Sequence, residues 1–81
     1  MKKRYVNDQV PSSVVELRSE VAGRVREIRK SSDLTQAELA EIIGTKKSNI
    51  SRLESGRYNP SLDFMVKVVN GLGRKISIDI E

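Results

Sequence analysis

The 81-residue chain contains no cysteine, which excludes disulfides and thiolate zinc sites. It contains no histidine either, which removes the usual general base and the commonest metal ligand. Tryptophan is absent, and the aromatics are only Tyr5, Tyr58 and Phe64, too few for a surface that stacks single-stranded bases. No apolar run approaches the roughly 18 residues of a membrane span, and no signal-peptide core follows the N-terminus. The expectation is a soluble, cytoplasmic protein. A chain of this size makes one small domain with a single core of marginal stability. What is plentiful is positive charge: 15 Lys and Arg against 11 Asp and Glu leave +4, which suits a polyanionic partner.

Residues 1–11 hold the cluster Lys2-Lys3-Arg4 and little periodicity. They read as a flexible basic arm, either solvated or reaching phosphates. From residue 12 the pattern is helical, and a domain is expected over 12–73, with helices at about 13–30, 35–43, 46–55 and 61–72. Val14, Leu17, Val21, Val25 and Ile28 recur at intervals of three and four and form one stripe. Gly23 inside that run is a candidate kink, and Ser31-Ser32-Asp33 ends it. Thr35 with Glu38 makes a capping box for a second helix, which is expected to bury Leu39, Ile42 and Ile43 and to stop at Gly44. Thr45 is placed to cap the third helix and Ser61 the fourth. The fourth helix is apolar on about two-thirds of its surface, which implies neighbours on two sides. Gly71 and Gly73 end it.

The tail then changes period. Ile76, Ile78 and Ile80 alternate with Ser77, Asp79 and Glu81, a half-buried strand signature over 74–81. A lone strand needs a partner for its backbone groups. Pairing with the same strand of a second copy is the expected solution and makes Ile76, Ile78 and Ile80 dimerisation residues. The alternatives are a strand packed on its own domain and a tail bound by another protein.

The segment Gln36 to Ser55, QAELAEIIGTKKSNISRLES, carries the chemistry. Ala40 is small where two helices cross, and Gly44 supplies the turn between them. Ile50 and Leu53 fasten the third helix against the second. Counting 100° per residue from Ile50, its far side holds Ser48, Ser51, Arg52 and Ser55, flanked by Lys47 and Asn49. A helix face of Lys, Ser, Asn and Arg without acids fits base edges and phosphates in a DNA major groove. The alternative is a plain helical hairpin.

Residues from about Arg24 to Leu72 resemble the lambda-repressor/Cro-like (Xre-type) helix-turn-helix family, through RVREIRKSSDLTQAELAEIIGT, ISRLESGRYNPSLDF and the closing GLG. The resemblance implies an all-α fold, a compact four- to five-helix domain, to which the alternating tail adds an expected short C-terminal β-strand paired in a dimer. It also implies a dimer on double-stranded operator DNA. By matching position, Lys47, Ser48 and Arg52 fall where the family reads bases, and Ser51 shares their face. Gln36, Lys46, Asn49 and Arg57 fall where it holds phosphates or supports docking. Arg29 and Glu54 match a structural salt bridge between the first and third helices. Arg52 is the foremost base-reading candidate, because its fork can grip guanine O6 and N7; the alternatives for it are a phosphate clamp and an ordinary surface arginine.

Many family members carry a second domain; the expectation here is a chain without one, closing on GRKISIDIE. That ending looks like antitoxins of type II toxin–antitoxin modules, of the HigA or HipB kind. This second resemblance implies an autorepressor that neutralises a cognate toxin, an mRNA endonuclease or a kinase. The alternative is a stand-alone repressor of phage or restriction-control type. No enzyme activity, cofactor or metal is expected: Glu38 and Glu41 read as ordinary solvated acids, and no nucleophile–base pair or glycine-rich phosphate loop is present.

Overall fold

The computed structural model describes residues 12–57 and 59–80, which hold four helices: α1 (Ser12–Ser31), α2 (Gln36–Ile43), α3 (Lys47–Ser55) and α4 (Leu62–Gly71). The expected basic arm, the loop residue Tyr58 and Glu81 at the end of the tail lie outside the described residues. Each boundary has a local cause. The α1 end turns through Asp33 at φ 57, where the Leu34 amide reaches back to the Arg29 carbonyl at 3.1 Å. The α2 start is the capping box: the Glu38 amide donates to Thr35 Oγ1 at 3.0 Å, and the Thr35 amide donates to Glu38 Oε1 at 2.8 Å. Gly44 takes the left-handed conformation at φ 76, and the Thr45 amide closes the turn on the Ala40 carbonyl at 2.8 Å. Ser61 caps α4 by accepting from the Phe64 amide at 3.0 Å.

The core lies between the helices and is built from Val25, Leu39, Ala40, Ile43, Ile50, Leu53 and Val68. α2 packs on both α3 and α4, while α1 packs on α3. Leu39, Ile50 and Val68 are fully buried, one from each of α2, α3 and α4. Ala40 is buried where α2 and α3 meet, and a longer side chain there would push them apart.

Four expectations are corrected. Ile42 is 56% exposed, not buried. The buried side of α2 is centred on Leu39, Ala40 and Ile43, and Ile42 lies about 100° round from Ile43, away from Ala40. Gly23 neither kinks nor splits α1, which runs unbroken from Ser12 to Ser31 with nothing within 4 Å of a Cβ at that position. Thr45 is not the α3 cap. Lys46 occupies that position in an extended conformation without a side-chain cap bond, and the Thr45 hydroxyl instead accepts from Asn49 Nδ2 at 2.9 Å. Residues 74–80 form no strand in this chain. A strand needs a hydrogen-bonding ladder, and the regular elements among the described residues are all helices.

Leu17 on α1 is 59% exposed. With Val21, Met65, Val69 and Leu72 it lines an open apolar groove between α1, α4 and the tail, where Ile76 and Ile78 also lie. Ile76 is half-buried, but Ile78 and Ile80 are exposed.

Candidate nucleic-acid interface

α3 shows one face to the core and the opposite face to solvent. Ile50, Leu53 and Glu54 are buried, within about 100° of each other round the helix. Lys47, Ser48, Ser51, Arg52 and Ser55 are all exposed, and Asn49 at the edge is half-buried. The exposed face therefore holds two cations and three hydroxyls and no acid. The carboxylate that this helix does carry, Glu54, points inward.

Glu54 anchors the helix. Arg29 Nε donates to Glu54 Oε2 at 2.7 Å, and Arg29 Nη2 donates to Oε1 at 3.0 Å, a bidentate pair. Arg29 Nη1 donates to the Leu34 carbonyl at 2.7 Å, tying in the loop before α2. Gln36 Nε2 donates to Glu54 Oε1 at 3.1 Å. Arg29 and Glu54 are 7% and 4% exposed, so this network is shielded from water. The hydrogen bond to Glu54 holds the Arg29 pKa above its ordinary value, and burial opposes it. The network locks the α1 end, the α2 start and α3 into one orientation. The outer face of α3 is thus presented by a rigid scaffold.

The remaining sequence-predicted residues spread around this helix. Lys46 precedes it and is exposed, and Arg57 follows it, exposed, with its amide donating to Ser55 Oγ at 3.2 Å. Gln36 and Asn49 are half-buried and already hydrogen-bonded inside the molecule, to Glu54 and Thr45. Each has a second amide hydrogen to offer. Ile76, Ile78 and Ile80 lie in the tail, which lines the apolar groove with α1 and α4.

Sequence reasoning passed over Arg26 and Lys30. Both are exposed on α1, and they line a shallow depression with Arg29, Gln36, Ser51, Glu54 and Ser55. The signal was present: once Arg29 faces the third helix, residues 26 and 30 lie together on one side of it, about 60° and 100° round from Arg29. No group of potential metal ligands occurs among the described residues. No helix among them is long and apolar enough to cross a membrane.

Comparison with known proteins bears on this geometry. The Helix-turn-helix (HTH_3) family is matched over residues 25–78. An uncharacterized HTH-type transcriptional regulator of Methanothermobacter thermautotrophicus is 46% identical over 56 residues, 69% of this chain and 81% of that protein. The immunity repressor protein of Bacillus phage phi105 is 40% identical over 57 residues, 70% of this chain but 40% of the repressor. Antitoxin HicB 1 of Photorhabdus laumondii is 36% identical over 50 residues, 62% of this chain and 32% of the antitoxin. Among solved structures, a hypothetical transcription factor NHTF from Neisseria superposes with a TM-score of 0.70 at 28% identity, covering 89% of this chain and 82% of that one.

Proposed function

The chain belongs to the helix-turn-helix family of transcriptional regulators, and from this premise we propose that it is a sequence-specific repressor that inserts α3 into the major groove of double-stranded DNA. One observation carries the reading: an acid-free outer face on a helix whose inner face is fastened by Ile50, Leu53 and the Glu54–Arg29 pair. Lys47, Ser48, Ser51 and Arg52 read base edges. Lys46 and Arg57, at the two ends of α3, hold phosphates, with Gln36 and Asn49 supporting the docking. The protein works as a cytoplasmic homodimer, so that two copies of α3 reach successive half-sites about one helical turn apart. The uncovered apolar residues Leu17, Ile78 and Ile80 support a self-association surface that includes the tail.

In the cell its role is that of an antitoxin that represses its own operon and binds a toxin protein. The likeness to an antitoxin and the alternating tail support this role. The likeness to a phage immunity repressor supports a stand-alone repressor instead. Co-expression with the product of the adjacent reading frame separates the two: co-purification of both products is the expected result, and a chain that purifies alone points to the stand-alone repressor. For DNA reading, Arg52→Ala is expected to lose discrimination at one operator position by about 1–3 kcal/mol. Equal losses on operator and random duplex would remove Arg52 from base reading.

A further inference from the structure

We propose that Arg26 and Lys30 of α1 grip the phosphodiester backbone of one DNA strand, a contact made beside α3 and not by it. The inference rests on the DNA-binding reading above. Arg26 and Lys30 stand one turn apart on the same face of α1, and Ser51 and Ser55 stand one turn apart on α3. The two rows line a single depression, with Gln36 of α2 also on its wall. The same depression contains Arg29 and Glu54, whose charges cancel in a bidentate pair, so Arg26 and Lys30 leave it a net charge of +2. Arg29 uses three of its five N–H donors on Glu54 and Leu34, and its charge is met by Glu54.

Like charges at this spacing disfavour a helix. Among the described residues neither the Arg26 guanidinium nor the Lys30 ammonium has an ion-pair or hydrogen-bond partner, whereas the Arg24 guanidinium, nearby on the same helix, is paired with Glu27 at 2.6 Å. Lys30 also suits the carboxyl end of α1, where the helix dipole favours a cation. Arg26 lies more than a turn from that end and has no such local reason. A duplex seated on the outer face of α3 carries a phosphate strand along each wall of a groove about 12 Å wide. On the Ser51–Ser55 side that strand must pass the depression, and the two cations meet it there.

The test uses the full chain, a duplex selected for tight binding and a random duplex, with affinity measured by fluorescence anisotropy from about 50 to about 200 mM NaCl. Arg26→Ala with Lys30→Ala is expected to lower the slope of log K against log salt by about 1.8. If affinity at about 1 M salt is unchanged, binding at about 0.1 M falls about 60-fold, equally on both duplexes. Lys67→Ala, on exposed α4 surface, leaves the slope unchanged. Thermal unfolding of the double variant is expected to match or exceed that of the parent chain, which separates a lost contact from a lost fold. An unchanged slope in a folded double variant overturns this inference, as does a loss confined to the selected duplex. Failure of the parent chain to bind any duplex at low salt overturns the DNA-binding reading itself.

Discussion

Replacing Glu54 by alanine strips three hydrogen bonds from one buried point. Two come from the Arg29 guanidinium at 2.7 and 3.0 Å, and one comes from the Gln36 amide at 3.1 Å. The guanidinium keeps only its bond to the Leu34 carbonyl, while its side chain is 9% exposed. Breaking a buried ion pair from one side costs about 3–5 kcal/mol, because the remaining charge stays desolvated and unpaired. At about 0.05–0.15 kcal/mol per residue, a domain of this size has roughly 4–12 kcal/mol in total. The single substitution therefore removes a large share of it and lowers Tm by roughly 12–40 °C. Far-UV circular dichroism followed through heat and urea gives both quantities. The paired substitution Arg29→Met with Glu54→Leu removes both charges and is expected to recover most of the loss, since an apolar pair of similar volume needs no counter-charge. A Glu54→Ala loss below about 1 kcal/mol, the range of an exposed ion pair, would refute the claim that this network sets the orientation of α3.

Further predictions concern the core, the cap and the tail. A Cβ on Gly71 would run into the Ile43 Cγ2 methyl, where α4 crosses α2. Gly71→Ala is thus expected to destabilise by about 1–3 kcal/mol in urea titration despite its better helix propensity, and a stabilised variant would contradict the close crossing. The Glu38 carboxylate is held below the usual glutamate range by the Thr35 amide hydrogen bond, with the Thr35 hydroxyl adding to it. Its folded pKa lies below the unfolded one, so the stability it contributes is present in full above the unfolded value and disappears as pH falls through the folded value. Glu38→Gln is expected to flatten the acid limb of a stability–pH curve; an unchanged limb would show the box contributes nothing. Deleting residues 75–81 is expected to yield a monomer in sedimentation velocity, with much weaker affinity for operator DNA. An unchanged dimer would assign self-association to α1 and α4.

Much of this architecture is legible from local chemistry. Thr35, Glu38 and Gly44 mark both ends of α2 because cap and turn geometry depend on residues within one turn. Ile50 and Leu53 mark the inner side of α3 by spacing alone, and the outer face follows by elimination. The features that escaped depend on contacts between distant residues. Periodicity treats Ile42 and Ile43 alike, and only the placement of α3 and α4 decides which one is covered. Gly71 reads as a helix end, while its closeness to Ile43 appears only once α4 lies on α2. Thr45 has the chemistry of a cap, but the helix begins one residue later and its hydroxyl is taken by Asn49. The role of Gln36 at Glu54 likewise emerges from an 18-residue separation. The tail has a strand's alternation without a strand's ladder, since hydrogen-bonding partners are not encoded in a single segment's pattern.

The most direct measurement of the central claim is selection of binding duplexes from a randomised double-stranded DNA library by the full chain, followed by sequencing. The expected result is enrichment of two inverted half-sites about one helical turn apart, with information at one position of each half-site lost in Arg52→Ala. A library that emerges with no enriched sequence from the parent chain, though the protein is folded and the salt low, would contradict it.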